Sequence, residues 1–419
     1  MMIDGSYLSV DKATIKLASR SLNLNLGNFN KLLIGFGASF YLATYIIAPG
    51  AIAALPILLA AFWSLFSEAF RARTQKWKLT DKYQQGWLLA LFAFGAWSIF
   101  TVWLDNAALT FYEVPAKFVL GAVLAYAIFR KGIDIFWIKL GALIGVLLLG
   151  ELVFTEYSGN ERFSPLMNAT KWGNAVAFQM LLTLVLIPLS SSFREKLLFA
   201  AMALAGLYFT IITGTRGALL PFLGSLVFAL FYYRKKITLK TGLATVVSIV
   251  TVVVIAYQQP IVQSRINSTI QDFKLIQSDN YNSSIGIRLT MWSAGIQSSL
   301  KSPIIGNGYT FEENFKEYKG PTLGLDKNAS IAKQYRFFHS AYIDTIVTKG
   351  IVGLILLITI FIMGLTSQGQ KNTLIMVPAI IGIAFSGLTD SALNLGITTD
   401  YLVLAGTIFK AATFTNSKT

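Results

Sequence analysis

The sequence predicts an all-α polytopic membrane protein of about twelve transmembrane helices, and three observations point there. Hydrophobic residues make up 54% of the chain and charged residues only 13%, where soluble domains average about 25% charged. Mean hydropathy is +0.60, and it comes from apolar stretches near the roughly 20 residues a spanning helix needs. Basic residues also collect in alternate connections between those stretches, the pattern expected when positive charge stays in the cytoplasm.

Twelve apolar stretches follow one another, near 31–48, 50–66, 87–103, 114–129, 134–154, 172–190, 197–214, 217–233, 241–257, 342–365, 373–389 and 397–413. One set of connections holds Arg71, Arg73, Lys76, Lys78 and Lys82, then Arg130, Lys131 and Lys139, then Arg194 and Lys196, then Arg234, Lys235, Lys236 and Lys240, then Lys371. The alternate short connections carry only Lys117, Arg162, Lys171 and Arg216. With Lys12, Lys16, Arg20 and Lys31 on the basic side as well, both termini are expected in the cytoplasm. The first thirty residues lack an apolar core and a small-residue cleavage site, so no cleavable signal peptide is expected.

The net charge of +15 has the same topological origin. No nucleic-acid-binding motif accompanies it, and nucleic acid is not an expected partner. The chain has no cysteine, which excludes disulfides, thiolate chemistry and cysteine-based metal sites.

Residues 258–341 break the alternation of short turns. They are too polar to cross lipid and too long for a turn, and by parity they lie outside the cytoplasm. The chain thus divides into helices one to nine (1–257), a large periplasmic loop domain (258–341) between helices nine and ten, and helices ten to twelve (342–419). The loop opens at Gln259-Pro260 and contains a helical run from Arg288 to Leu300, with apolar residues at 289, 292, 296 and 300. Pro303 and Gly306-Asn307-Gly308 end that run. Trp292, Tyr309, Phe311, Phe315 and Tyr318 argue for an ordered cap on the bundle, because disordered segments lack aromatics.

His339 is the one histidine of 419 residues, and it stands where the polar loop meets an apolar helix, with Ser340 as a candidate N-cap. Histidine is the side chain best suited to move a proton near neutral pH. Arg216 lies in Thr213-Gly214-Thr215-Arg216-Gly217 with almost no loop around it. It either anchors at the interface or faces a polar cavity, and the flanking glycines favour close approach of a ligand. Arg288 opens the loop helix, and Arg265 and Arg336 are further candidates. An arginine fork suits pyrophosphate because it donates two parallel hydrogen bonds and keeps its charge. Gly350 and Gly353 read as a small-residue pair for helix–helix packing. The outward carboxylates Glu113, Glu161, Asp272, Asp279, Glu312, Glu313 and Asp390 look scattered, and no Asp-x-Asp or phosphate-binding glycine loop occurs. Metal-independent chemistry without a cofactor is therefore expected.

These residues resemble a known family, the bacterial O-antigen ligases of the O-antigen ligase/polymerase superfamily. Its signature, a His followed by Asn, Ser or Gln, nine residues, then Gly-x-x-Gly, is matched by His339-Ser340, residues 341–349 and Gly350-Ile351-Val352-Gly353. Arg288-Leu289-Thr290-Met291-Trp292 and Pro303-Ile304-Ile305-Gly306-Asn307-Gly308 look like its Arg-x-x-x-Trp and Pro-x-x-Gly-x-Gly stretch, and Thr215-Arg216-Gly217 looks like its membrane-edge arginine. The likeness covers roughly residues 160–365. It implies a GT-C-like polytopic glycosyltransferase in the bacterial inner membrane. Such an enzyme moves O-antigen from undecaprenyl pyrophosphate onto the lipid A–core oligosaccharide at the periplasmic face, with inversion at the anomeric carbon. His339 would activate the acceptor hydroxyl, and Arg216 and Arg288 would hold the leaving pyrophosphate, with Arg265 and Arg336 as further substrate contacts. A polymerase of the same superfamily is the alternative, and a twelve-helix transporter or flippase a more distant one. Arg-x10-Gly, frequent in polymerases, is absent: Val227, Ile276 and Ser299 stand eleven residues after Arg216, Arg265 and Arg288. The extra C-terminal portion of protein-glycosylating members is not seen either. Both departures favour the ligase.

Overall fold

In a computed structural model the described residues are mostly helical. The structure describes residues 12–45, 50–69, 81–159, 161–233, 238–309, 337–367, 369–391, 393 and 396–414. The helices are α1 (Lys12–Thr44), α2 (Gly50–Ala69), α3 (Lys82–Leu104), α4 (Glu113–Lys131), α5 (Ile135–Glu156), α6 (Ala169–Leu189), α7 (Phe193–Ile212), α8 (Leu219–Tyr233), α9 (Leu239–Tyr257), α10 (Pro260–Gln277), α11 (Ser284–Ser299) and α12 (Ala341–Leu365), followed by shorter helical pieces. Among the described residues six helices are long and apolar enough to cross a membrane, or seven if the bent pair α9–α10 is one span. This is a polytopic all-α architecture.

The last apolar stretches are helical but segmented. Pro378 lies at the start of Val377–Ser386 and supplies no backbone N–H, which separates it from Gln370–Ile375. Gly396–Asp400, a π-turn Tyr401–Ala405 and Gly406–Lys410 succeed one another beyond. One departure from an all-helical chain is a two-residue parallel pair, Ile133–Asp134 with Ala412–Thr413, which ties the chain's end to the α4–α5 turn.

Helix α6 is the axis of the bundle. Its apolar face is not a stripe: nearly every residue from Trp172 to Leu186 is buried, as expected of a helix surrounded by others. Gly173 lies beneath Thr215 and Gly206 against Met180, so neighbouring chain comes close to α6 at both places. Trp172, Phe178 and Tyr401 fill the centre, with the last two rings stacked 4.9 Å apart.

The loop segment holds two described helices. The run read from Arg288 to Leu300 is α11, and it begins four residues earlier. Ser283 caps it by accepting a hydrogen bond from the Gly286 amide at 3.1 Å, a stronger start signal than the arginine itself. Residues 310–336, which include Arg336, Phe311, Phe315 and Tyr318, lie outside the described residues.

The helix-packing reading of Gly350 is overturned. Gly350 has φ 65° and ψ −169° inside α12, a conformation essentially restricted to glycine. The helix breaks there to admit the turn at 303–308. Ile351 N donates to the Pro303 carbonyl at 2.8 Å and Asn307 N to the Val347 carbonyl at 2.6 Å. Trp97 Nε1 donates to the Lys349 carbonyl at 2.9 Å. Gly306 and Gly308, both at positive φ, bring the turn this close. The two glycine motifs are therefore one joint, which locks the loop to the spanning helix.

Candidate active site

A cavity of about 390 Å³ opens between the α7–α8 turn, α10, α11 and the segment around Asp390. Arg162, Arg216, Arg265 and Arg288 line it, with Asn174, Trp292, Thr389 and Asp390. Each arginine is placed by a local device. Thr215 Oγ1 donates to the Ala169 carbonyl at 2.7 Å, pinning the α7–α8 turn to the start of α6 and setting Arg216 at the cavity edge. Arg216 Nη1 lies 2.5 Å from Asp272 Oδ2 of α10. Arg265, two turns back on α10, donates from Nε to the Gly214 carbonyl at 3.0 Å. Arg288 Nη1 folds back onto the Ser284 carbonyl at 3.0 Å and its hydroxyl at 2.9 Å. Of the glycines flanking Arg216, Gly217 faces the Thr389 hydroxyl and Gly214 makes room for arginines. Gly214 has φ 62°, and a side chain there would press on the Arg162 and Arg265 stems.

Among the described residues the arginines of this cavity outnumber its carboxylates. Three buried donors that line it, Arg216 Nε, Trp292 Nε1 and Thr389 Oγ1, have no partner there. A buried donor left unpaired costs about 1–3 kcal/mol. A cavity rich in such donors is made to receive oxygen atoms carrying negative charge.

His339 stands beside this cavity, and its coordinates are over-determined. Phe338, 1% exposed, packs with Met291, Ala294 and Val347, joining α11 to α12, and its amide donates to Asp344 Oδ1 at 2.8 Å. Ser340 caps α12, its hydroxyl 3.5 Å from the Ile343 amide. The Ala341 amide donates to the Gly387 and Asp390 carbonyls at 2.9 and 3.0 Å. Between these anchors His339 is held at φ 50°, a left-handed conformation uncommon outside glycine. Its Nδ1 is 3.9 Å from Asp390 Oδ1, and Asn174 Nδ2 holds the other carboxylate oxygen at 2.9 Å.

Residues 200–358 match the family model described as O-antigen ligase. This segment belongs to the O-antigen ligase superfamily. Over 203 residues the chain is 26% identical to a protein of Escherichia coli (strain K12) named O-antigen ligase, covering 47% of each chain. Over 196 residues it is 25% identical to an uncharacterized protein of Haemophilus influenzae, covering 44% of this chain and 48% of the other. The chain thus spans about half the length of the curated relatives it matches.

The segment matched by the family model contains Arg216, Arg265, Arg288, His339 and the Gly350 joint, whereas Asn174 and Asp390 come from outside it. The structure gathers Arg216, Arg265 and Arg288 around one cavity, and His339 stands 3.9 Å from Asp390, which lines it. Arg336 falls outside the described residues. Two carboxylates that look scattered in the sequence are in fact paired with the site, Asp272 with Arg216 and Asp390 with His339. Arg162, Asn174 and Asp390 are site residues that sequence reasoning passed over. The available signal was a carboxylate next to apolar helix, which is costly unless it is used.

Burial, and then the nearby Arg288 guanidinium, lower the His339 pKa to about 4. Burial raises the Asp390 carboxyl to about 6 against the pull of Arg288. The imidazole is therefore neutral at neutral pH, and its 3.9 Å contact with Asp390 is an orienting interaction rather than an ion pair. A neutral imidazole accepts a proton, and the carboxylate behind it favours the cation that results.

Proposed function

We propose that this protein is an O-antigen ligase. It transfers O-antigen polysaccharide from undecaprenyl pyrophosphate to a hydroxyl of the lipid A–core oligosaccharide, at the periplasmic face of the inner membrane. The observation that carries the reading is a histidine 3.9 Å from a carboxylate that lines a cavity together with four arginines. His339 Nδ1 faces Asp390, which leaves Nε2 for the acceptor hydroxyl. As the hydroxyl oxygen attacks the anomeric carbon, its proton passes to His339 and the carbon–oxygen bond to pyrophosphate breaks from the opposite side. The configuration inverts. Arg216 and Arg288 receive the charge that grows on the departing pyrophosphate, aided by Arg265, and Arg336 of the same loop is kept as a further donor contact. Twelve spans, cytoplasmic termini and a periplasmic 258–341 loop complete the arrangement.

Reconstitution in vesicles with a polyprenyl-pyrophosphate-linked glycan and a lipid A–core acceptor tests this directly. Glycan is expected to move to the acceptor, with EDTA making no difference. Elongation of the donor without acceptor would indicate a polymerase instead. Donor movement across vesicles lacking acceptor would indicate a transporter.

Arg216→Ala and Arg288→Ala should each lower transfer by about 10²–10³-fold, the scale of losing one preorganised donor at a developing charge. The Lys variants should fall between, since a point charge replaces a fork. Equal activity of Lys and wild type would reduce both residues to charge anchors.

The rate should rise with pH through about 6 as Asp390 ionises, and Asp390→Asn should remove that step. A step near 6 that survives in Asp390→Asn would contradict the role given to this carboxylate. Stability is a poorer readout. As pH falls from 6.5 toward 4 the unfolded histidine protonates before the folded one, so His339 withdraws stability. Between about 6 and 3.8 the folded Asp390 is protonated first and adds stability on acidification. The two effects oppose each other.

A further inference from the structure

Helix α10 carries a surface that the transfer chemistry does not use. It leaves α9 through a bend of 93°, and Pro260 at its first position starts it in the new direction. Its composition rules out a spanning role, since Gln263, Arg265, Asn267, Gln271, Asp272 and Lys274 fall within 18 residues. The residues sort onto three faces. Ile261, Arg265 and Asp272 turn inward, where Arg265 meets Gly214 and Asp272 meets Arg216. Ser264, Asn267, Gln271 and Lys274 form an exposed polar row at spacings of three and four. Ile266, Ile270 and Phe273 form a second exposed row that is wholly apolar, 43%, 49% and 56% exposed. Val253, Val254 and Ile255 at the end of α9 are exposed likewise, by 48%, 54% and 52%, on a helix of membrane-spanning composition.

We infer that α10 is an interfacial helix, seated in the headgroup region of the bilayer on the side of the arginine cavity, with Ile266, Ile270 and Phe273 in the acyl boundary. The occupant of the apolar row is the lipid surface itself, because two residues separate α10 from a helix of spanning composition whose last turns expose valine and isoleucine, and the bend of 93° turns it across that helix. A helix lying in the membrane plane with one polar and one apolar face satisfies both neighbours. The consequence for function rests on the ligase reading. Seating α10 would hold Arg265, and through Asp272 also Arg216, at the depth where a lipid-linked pyrophosphate lies.

The absence of cysteine makes the test clean. Single variants Ile266→Cys, Ile270→Cys, Ser264→Cys and Gln271→Cys of the full chain are spin-labelled in phosphatidylethanolamine–phosphatidylglycerol vesicles. Accessibility to oxygen is then compared with accessibility to a water-soluble nickel chelate. Labels at 266 and 270 should favour oxygen, at a depth of roughly 5–10 Å, and labels at 264 and 271 should favour nickel. A label at 270 as open to nickel as one at 271 would overturn the proposal. All four labels closed to nickel would overturn it too, by making α10 re-entrant. The readout needs no transfer activity, so failure of the ligase assay leaves it standing.

Discussion

His339→Ala is expected to insert, fold and bind a lipid-linked donor while losing about 10²–10⁴-fold in transfer rate, the scale of one general base. The imidazole has the geometry and the charge state for that role. It is neutral because burial and Arg288 disfavour its cation, and Asp390 stands 3.9 Å behind it. The backbone complicates the variant, because position 339 is left-handed at φ 50°. Histidine already bears the Cβ strain of that conformation, but it tolerates it better than alanine does. His339→Asn is the better control, since asparagine tolerates this conformation and brings a polar head without a proton-accepting nitrogen. Both variants should be inactive at wild-type expression. Transfer near wild-type levels by His339→Asn, measured per folded molecule, would remove the base from the mechanism.

Gly350→Ala is expected to lose folded protein rather than chemistry. Its φ and ψ lie where only glycine is comfortable, a penalty of about 1–3 kcal/mol. The added methyl group would also fall on the Ile304 carbonyl and the Ile305 amide. These are backbone atoms in a turn hydrogen-bonded to both sides of the break, so neither neighbour yields. Gly369→Ala, which meets nothing within 4 Å, serves as the matched control. In detergent, Gly350→Ala should melt well below wild type and Gly369→Ala close to it. Equal melting of the two would mean that the joint between Pro303–Gly308 and α12 does not hold the loop.

The uneven legibility of the sequence has a physical reason. Hydropathy reports whether a segment prefers lipid, and the positions of α3 to α7 follow it closely. An N-cap is legible too, because Ser340 acts on an amide three residues away. The Gly350 break is different. Its cause is a turn more than forty residues upstream in the chain, and a small residue in an apolar run reads equally well as a packing face. The start of α11 reads late from Arg288, because the serine that caps the helix, Ser283, stands five residues before that arginine. Asp390 illustrates the limit best. It lies 51 residues beyond His339 with a whole spanning helix between them, and only the fold brings them within reach. The arginines are legible singly from their type and their place at helix ends, whereas their meeting at one leaving group is implied by the family resemblance alone, and Arg162 joins them only in the fold.

Joining a finished polymer to a lipid acceptor leaves a signature in the cell envelope. The lipopolysaccharide profile of a strain lacking it, separated by gel, is the most direct measurement. A ligase predicts bare lipid A–core with polymer retained on its carrier lipid, and restoration of the ladder by the wild-type chain. A profile of core bearing single repeat units, or a ladder unchanged by the deletion, would contradict it.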